Sequence, residues 1–283
     1  MTLSKNKRCN MNISKKELLN LDEAEKFIQQ ITKKAGKIVS KLYGKVDVKY
    51  TKQNIGDVVT KADLLSNDFL VSSINKKYPF HGIISEELKP KITNSDYTWI
   101  IDPLDGTRNY STKTPIYGVI VALAKKDKVI MGAICLPEVD ELYFARIGKG
   151  AYLNGKKIKC STTKEFKHSY GVGKGFHNEI SSRVYVELFK YAKKKPFWIN
   201  TLGCGAFALM LIASGRRDWC INPRSGGVWD FAGAVIILQE AGCKVTNIEG
   251  KEWTTKDNSV VVANQALYKE LMNIVKMAKK QRE

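Results

Sequence analysis

Apolar residues recur at helical spacing near the start of the chain, in residues 21–42. They follow one another at intervals of three or four for about six turns, which is typical of the buried face of an amphipathic helix. Asn20, followed by Glu23 three residues later, resembles a capping box, and Gly44 is suited to ending the helix. The pattern therefore predicts one long helix packed against a core.

A second helix is predicted directly after a short polar stretch. Thr60 with Asp63 three residues later is a further capping signal, and apolar residues then continue at helical spacing until Pro79 interrupts them. Two helices therefore precede the first strong strand signal in the chain.

Short apolar runs bounded by turn residues follow the two helices, and they predict a set of strands. These strands are predicted at residues 81–84, 98–101, 116–124, 129–136, 141–146 and 151–153. From about Ser169 the pattern changes to helices and strands in alternation. Helices are predicted at residues 182–193, 206–214, 230–241 and 266–279, and strands at residues 195–199, 218–221, 244–247 and 259–263.

This order of elements predicts an α+β fold built as a layered sandwich. We divide it into a basic, flexible N-terminal tail at residues 1–18, an N-terminal α+β half at residues 19–165 and a C-terminal α/β half at residues 166–283. The first half contains the helix pair and the strand meander, and the second contains the alternating elements.

The chain of 283 residues is strongly basic. It contains 47 Lys and Arg residues and 28 Asp and Glu residues, which gives a net charge of +19. Such a surplus fits a surface that binds a polyanion, the attraction of a small anionic substrate, or a lysine-rich composition without a ligand. The lysines are scattered in twos and threes, without an Arg-rich block. Charge alone therefore does not select among these three hypotheses.

Cysteine and histidine usage argues against a disulfide framework or a zinc site. Six cysteines are scattered without a CxxC pair, and the three histidines do not form a metal-binding spacing. No run approaches the ~20 apolar residues that a membrane helix needs, and the basic N-terminus is not followed by the apolar region of a signal peptide. We therefore expect a cytoplasmic protein with reduced thiols.

Acidic residues are scarce in this chain, yet several directly follow apolar strands. The most informative are Asp102 and Asp105, which follow an apolar run and are separated by Pro103 and Leu104. Two carboxylates spaced in this way on a rigid turn can face one hard cation, with the Leu104 carbonyl as an additional oxygen ligand. An Asx turn followed by a helix cap is the alternative interpretation.

Three further acids occur in similar positions. Glu86, next to Glu87, follows an apolar strand, Asp230 opens an apolar helix, and Asp57 precedes the predicted cap Thr60. Taken singly, each could be a solvated acid or a helix cap. Together with the pair on the turn they form an all-oxygen set suited to Mg²⁺ or Mn²⁺, and such a set can hold metals ~3.5–4 Å apart for transfer of a phosphoryl group to water.

These residues lie in motifs that resemble those of the inositol monophosphatase family, within the lithium-sensitive, Mg²⁺-dependent phosphomonoesterases. The resemblance extends over most of the chain, from about residue 24 to residue 263, and four motifs occur in the family's order. They are residues 57–60, 85–87, 99–107, and 229–233 with 240–242. The resemblance implies an αβαβα layered sandwich of the inositol monophosphatase and fructose-1,6-bisphosphatase type, usually a homodimer, with metal ions between the halves.

The resemblance also implies a ligand set for two or three Mg²⁺ ions, with Mn²⁺ as a substitute. Glu86, Asp102 and the Leu104 carbonyl would hold the first ion. Asp102, Asp105 and Asp230 would hold the second, and a weaker third ion would lie near Glu86.

The catalytic roles follow from the same resemblance. Thr107 and Asp57 would orient and deprotonate the attacking water, with Glu86 in the catalytic set. The backbone amides of Gly106 and Thr107 would hold phosphate oxygens. A small phosphorylated metabolite is the implied substrate.

The leaving-group side departs from the family pattern. Inositol phosphatases carry an acid about seven residues before the last metal ligand, where this chain has Pro223 followed by Arg224. An arginine there suits a substrate with a second anionic group, because it can bind phosphate through two donors, although it could also be surface charge. Gly203, Cys204 and Gly205 resemble the family's small-residue substrate loop, with Cys204 in place of the usual Ser or Thr, and packing at the start of a helix is the alternative interpretation.

The sequence therefore favours a phosphatase for inositol or sugar phosphates and leaves other substrates open. The alternatives are 3′-phosphoadenosine 5′-phosphate, fructose 1,6-bisphosphate and histidinol phosphate, the last suggested by Arg108 after the Asp-Gly-Thr triplet. A protein of a different class, which binds RNA or the transcription machinery through its basic surface on the same scaffold, is the competing hypothesis.

Overall fold

The computed structural model describes residues 19–45, 48–51, 58–173, 178–224 and 226–280. The predicted N-terminal tail, at residues 1–18, lies outside the described residues, and so does Asp57. The first two helices are α1 (Leu21–Leu42) and α2 (Lys61–Lys77), as the apolar periodicity predicts. The Asn20 side chain accepts the first amides of α1, and a reciprocal capping box joins Thr60 and Asp63 at the start of α2.

The strands form a two-stranded hairpin, a sheet of eight strands and a sheet of five. In chain order they are β1 (Val48–Thr51), β2 (Val58–Thr60), β3 (Gly82–Ser85), β4 (Leu88–Lys91), β5 (Tyr97–Asp105), β6 (Gly118–Lys125), β7 (Lys128–Leu136), β8 (Glu141–Arg146), β9 (Gly150–Leu153), β10 (Lys156–Ile158), β11 (Tyr170–Gly173), β12 (Trp198–Thr201), β13 (Trp219–Asn222), β14 (Lys244–Thr246) and β15 (Val260–Ala263). The hairpin is β1–β2, the large sheet has the order β10-β9-β8-β7-β6-β5-β3-β4, and the small sheet has the order β12-β11-β13-β15-β14.

Five more α-helices and three short 3₁₀ helices complete the described elements. The α-helices are α3 (Thr107–Ser111), α4 (Glu179–Ala192), α5 (Gly205–Ala213), α6 (Ala232–Glu240) and α7 (Tyr268–Lys280), and the 3₁₀ helices are Pro137–Val139, Phe166–His168 and Val228–Asp230. The central strands of both sheets, such as β6 and β15, are buried on two faces and apolar at nearly every position, whereas the edge strands β4, β10 and β12 are largely exposed.

The two faces of each sheet belong to different cores, which gives the layer order. On β5, Trp99 packs with α1 and α2, whereas Ile100 packs with α5 and α6. On β13, Cys220 belongs to that same central core, whereas Trp219 packs with α4 and α7. The layers are therefore α1/α2, the large sheet, α5/α6, the small sheet and α4/α7, and the predicted αβαβα sandwich is confirmed.

Two predicted boundaries are wrong at positions that matter for chemistry. The strand predicted to end at Ile101 continues through Pro103 to Asp105, because the pairing of β5 with β6 is irregular between Asp102 and Asp105 and a proline can occupy such a bulge. The helix predicted to open at Asp230 begins at Ala232, and Asp230 ends the preceding 3₁₀ helix. Strands β1, β2, β4, β10 and β11 were not predicted.

The chain passes from the large sheet to the small sheet between Ile158 and Tyr170. The division near residue 165 falls in this connecting segment and stays a prediction. Among the described residues, every helix is too short or too polar to cross a lipid bilayer.

Candidate active site

Asp102 is a buried carboxylate on β5 that lies near three other carboxylates. Its side chain is only 2% exposed, and its Oδ1 accepts a hydrogen bond of 3.1 Å from the Leu104 amide. Burial raises the pKa of Asp102 well above its usual value, and the charges of Glu86, Asp105 and Asp230 raise it further. Four of the sequence-predicted acids therefore converge on one region.

Asp105 is positioned by the start of α5, across the interface between the large sheet and the central helices. Its Oδ2 accepts a hydrogen bond from the Ala206 amide and another, at 3.1 Å, from the Cys204 thiol. Cys204 is the N-cap of α5, and its Sγ in turn accepts the Phe207 amide at 3.4 Å. Burial and the Asp105 charge raise the pKa of Cys204 well above its usual value, so this sulfur acts as a hydrogen-bond donor.

Glu86 and Asp230 reach the same region from different elements. β3 and β5 run parallel, and the Glu86 amide continues their pairing by donating to the Ile101 carbonyl at 3.3 Å. A Cβ atom at Gly205 would lie 3.6 Å from Asp105 Oδ2 and 3.9 Å from the Asp230 carbonyl oxygen. Gly205 therefore lies close to both Asp105 and Asp230.

The donor chemistry of this cluster fits a hard divalent cation. Its side chains offer only oxygen atoms, and the mutual repulsion of buried carboxylates is what a bound cation would relieve. Among the described residues, no group of three or more His, Cys, Asp or Glu side chains forms a ready set of metal ligands. A cation would therefore have to draw these carboxylates closer together than they lie here.

Thr107 contacts a carboxylate that the sequence analysis assigned only to helix capping. Its hydroxyl lies 3.0 Å from Asp63 Oδ1 and 2.9 Å from the Leu104 carbonyl, and can donate to either acceptor. Asp63 is 2% exposed, and burial raises its pKa to about 6, although hydrogen bonds from Thr60 and Thr107 oppose this shift. Asp57, the predicted partner of Thr107, lies outside the described residues.

Asp63 was missed because its capping role accounts for its position in the sequence. Oδ2 accepts the Thr60 amide and hydroxyl, whereas Oδ1 is the atom that lies near Thr107. A carboxylate that caps a helix with one oxygen can thus accept a hydrogen bond from a distant side chain with the other oxygen. No local sequence pattern distinguishes such a carboxylate from one that only caps the helix.

Gly106 allows the chain to turn sharply between β5 and α3. Its φ of +88° is left-handed, and a Cβ atom there would lie 2.9 Å from the Ile116 carbonyl oxygen and 3.0 Å from Cys204 Cβ. This close approach requires glycine. Thr107 then begins α3, and the role of the two backbone amides in holding phosphate stays a prediction.

The predicted substrate loop is fastened to α3 by Asn109, which the sequence analysis did not single out. Its Nδ2 donates to the carbonyl of Leu202 at 2.7 Å and to that of Ile116 at 2.9 Å. A Cβ atom at Gly203 would come within 2.9 Å of the Asn109 side chain. Gly203, Cys204 and Gly205 therefore lie between α3 and Asp105.

The segment between β13 and Asp230 contains the departures from the family pattern. Asn222 ends β13 and is 4% exposed, and its Oδ1 lacks a hydrogen-bond partner among the described residues. Pro223 is buried, whereas Arg224 is exposed. A Cβ atom at Gly226 would lie 3.9 Å from Asp230 Oδ2, so this segment reaches the carboxylate cluster. Asn222 is a further polar group that the sequence analysis missed.

Comparison with known proteins finds a match to the model of the inositol monophosphatase family over residues 20–280. A fructose-1,6-bisphosphatase/inositol-1-monophosphatase of Aquifex aeolicus is 32% identical over 249 residues, which are 85% of this chain and 90% of that protein. A putative Nus factor SuhB of Neisseria meningitidis is 30% identical over 251 residues, covering 86% and 94%. A Thermotoga maritima IMPase structure superimposes with a TM-score of 0.80 at 26% identity, covering 92% and 98%.

Proposed function

Since the chain belongs to the inositol monophosphatase family, we propose that it is a divalent-metal-dependent phosphatase that hydrolyses a small phosphate monoester with water as the nucleophile. The observation that carries this proposal is the convergence of Glu86, Asp105 and Asp230 on the buried Asp102. Four carboxylates assembled around one region would be costly for folding unless a cation offsets their charge.

In this proposal, Glu86, Asp102, the Leu104 carbonyl, Asp105 and Asp230 hold two or three ions. When bound, Mg²⁺ or Mn²⁺ would supply positive charge that offsets these carboxylates and stabilises charge on the transferring phosphoryl group. The chain contributes rigidity, because Asp102 accepts the Leu104 amide and Asp105 accepts the Ala206 amide. Two of the proposed ligands are therefore oriented by the backbone before any ion binds.

Thr107 and Asp63 are the pair that we propose to activate the water. The Thr107 hydroxyl can pass its proton to Asp63 Oδ1, 3.0 Å away, while its oxygen accepts a proton from the attacking water. A pKa of about 6 leaves Asp63 ionised at neutral pH and makes it more basic than an ordinary aspartate. We also propose that Asp57 helps to orient and deprotonate the attacking water.

The leaving group would be recognised by the loop at Gly203–Gly205 and by the segment after β13. The side-chain oxygen Oδ1 of Asn222 is buried and lacks a hydrogen-bond partner among the described residues. Such an oxygen could accept a hydrogen bond from a substrate hydroxyl. Arg224 is exposed and could bind a second anionic group. These two groups support a substrate that carries a hydroxyl near the ester and a further phosphate at a distance.

The experiment is a measurement of phosphate release from inositol 1-phosphate, fructose 1,6-bisphosphate, 3′-phosphoadenosine 5′-phosphate and histidinol phosphate. Each substrate is assayed with Mg²⁺, with EDTA, and with Mg²⁺ plus lithium. We expect one substrate to be hydrolysed in the presence of Mg²⁺, with loss of activity in EDTA and inhibition by lithium. Folded protein that hydrolyses none of the four would contradict the proposal for these substrates.

A second candidate function is binding to RNA or to the transcription machinery. The net charge of +19 favours it, and one relative is named a putative Nus factor. Binding and hydrolysis are compatible, because the charge is distributed over the chain. RNA retention that persists above ~200 mM salt would support this function, whereas purely electrostatic attraction should fall steeply there.

We also propose that the protein is a homodimer. Val186 and Phe189 on α4 and Trp198 on the edge strand β12 are exposed apolar side chains, and Trp198 is 75% exposed. Exposed aromatic groups next to an edge strand are typical of a contact surface. Light scattering should give a mass close to twice the 31.8 kDa of the chain, and a mass equal to that of one chain would contradict this proposal.

A further inference from the structure

Two cysteines outside the candidate active site lie side by side. Cys160 is in the segment that joins β10 to β11, and Cys243 lies between α6 and β14. The Cys160 amide donates to the Ala241 carbonyl at 2.9 Å, and the Cys160 sulfur lies 3.8 Å from the position of a Cβ atom at Gly242. The connecting segment therefore runs directly along the end of α6.

The two thiols have different environments and act on each other. Cys160 is half-buried, whereas Cys243 is 5% exposed and belongs to the central core. A hydrogen bond from the Cys243 thiol lowers the pKa of Cys160 to about 7, and the pKa of Cys243 is raised well above its usual value. By contrast, burial raises the pKa of Cys135 to about 11. Cys160 therefore combines access to solvent with thiolate character near neutral pH.

We propose that Cys160 and Cys243 form a peroxide-reactive dithiol site, at which hydrogen peroxide converts the two thiols into an intramolecular disulfide. Three features favour this modification: the access of Cys160 to solvent, the packing of its segment against the residues next to Cys243, and the chemical asymmetry of the pair. Cys160 is the sulfur that peroxide reaches, and Cys243 is the sulfur that resolves the product.

The reaction balances in two steps. The Cys160 thiol loses its proton, the thiolate attacks one oxygen of the peroxide and the O–O bond breaks, so that a sulfenic acid forms and the released hydroxide takes up that proton to become water. The Cys243 sulfur then attacks the sulfenic sulfur, so that the S–S bond forms and the S–O bond breaks, and the departing hydroxide takes the Cys243 thiol proton and leaves as water. Two thiols lose two electrons in total, and one hydrogen peroxide molecule is reduced to two water molecules.

The disulfide would join two parts of the fold that are far apart in sequence. It closes a loop of about 80 residues, and a cross-link over a loop of this length restricts the unfolded chain. It would tie the segment between the two sheets to the end of α6, whose first turn follows Asp230. Oxidised protein should therefore unfold at a higher urea concentration than reduced protein.

The test uses the reduced full-length chain, treated with a few molar equivalents of hydrogen peroxide, alkylated with N-ethylmaleimide and mapped by mass spectrometry of peptides. We expect a peptide pair linked by a disulfide between Cys160 and Cys243. On a non-reducing gel the protein should migrate at the mass of a single chain, without a cross-linked dimer. Cys243→Ser should leave Cys160 as a sulfenic acid that dimedone traps, and Cys160→Ser should abolish the reaction. Cys135→Ala is the matched control, in which the disulfide should still form.

The pH dependence gives a second measurement that does not depend on a variant folding correctly. The rate of thiol loss should be about tenfold higher at pH 8 than at pH 6, because the fraction of Cys160 that is thiolate rises through its pKa. Free thiols at both positions after peroxide treatment would overturn the proposal. So would a link from Cys160 to a second chain, or an equally fast reaction of Cys160→Ser.

Discussion

The candidate site has a carboxylate side, formed by the acids around Asp102, and a leaving-group side, formed by Asn222 and Arg224. The side chains of the two sides are positioned in different ways. On the carboxylate side, backbone amides fix Asp102 and Asp105, and strand pairing places Glu86 beside them. On the leaving-group side, Arg224 is exposed and Asn222 carries a buried oxygen without a partner among the described residues. The first side has little freedom to change without loss of the fold, whereas the second can change its substrate contacts without moving the first.

The largest effect is expected at the centre of the carboxylate side. Asp102→Asn removes one charge from the proposed ligand set and should lower kcat by at least about 1000-fold, because phosphoryl transfer depends on the charge that these carboxylates recruit. Phosphate release with Mg²⁺ measures kcat, and calorimetric titration with Mn²⁺ measures the loss of ion affinity. Unchanged activity would contradict the proposed ligand set.

The proposed water-activating pair should show the next largest effect. Asp63→Asn should lower kcat by about 100-fold, because the amide cannot take the proton from Thr107. Asp68→Asn, at an exposed position on the same helix, is the matched control and should retain full activity.

The pH profile sharpens the same prediction. Asp63 must be ionised to accept a proton, and burial raises its pKa to about 6, so activity should fall as the pH drops through about 6. This limb should be absent from the residual activity of Asp63→Asn. Activity should change mainly within about one pH unit on either side of the pKa of Asp63. Activity that stays constant between pH 5 and 7 would argue against Asp63 as the base.

Thr107 offers a conservative pair of variants. Thr107→Ala should lower kcat by at least about tenfold with a small change in KM, because it removes the hydroxyl between water and Asp63. Thr107→Ser keeps that hydroxyl and should recover most of the activity. Equal losses in both variants would indicate a packing role for the threonine methyl group.

The leaving-group side should respond more weakly and according to substrate. Arg224→Gln should raise KM about fivefold for a substrate with two phosphates and leave kcat nearly unchanged, because an exposed arginine contributes to binding more than to the chemical step. Inositol 1-phosphate, which has one phosphate, serves as the control. Equal changes in KM for both substrate types would leave Arg224 without a role in recognising a second phosphate.

The smallest effect is expected where the two sides meet. Cys204→Ser keeps a donor to Asp105 and should change kcat by less than about threefold, whereas Cys204→Val removes the donor and should cost about 1 kcal/mol of unfolding free energy. Urea unfolding measures the difference. A valine variant as stable and as active as the serine variant would show that the hydrogen bond to Asp105 is dispensable.

Elements with a strong local period could be predicted from the sequence, and the site could be predicted in part. Helix α1 has its predicted bounds, and the cap of α2 at Thr60 is confirmed, because helical spacing and capping chemistry act between residues a few positions apart. Strands β1, β2, β4, β10 and β11 were missed, because each has only three or four residues and four of the five contain Lys, Gly or Pro instead of a continuous apolar run.

By itself, the sequence determined the αβαβα fold and the family. It also identified the acids at positions 86, 102, 105 and 230 that converge on one region. These features depend on short motifs whose spacing is specific. Only the tertiary structure decided that Asp63 serves Thr107, that Asn109 fastens the substrate loop and that Cys160 lies against Cys243. Each of these contacts joins residues more than 40 positions apart. Packing creates such contacts, and no local pattern in the chain encodes them.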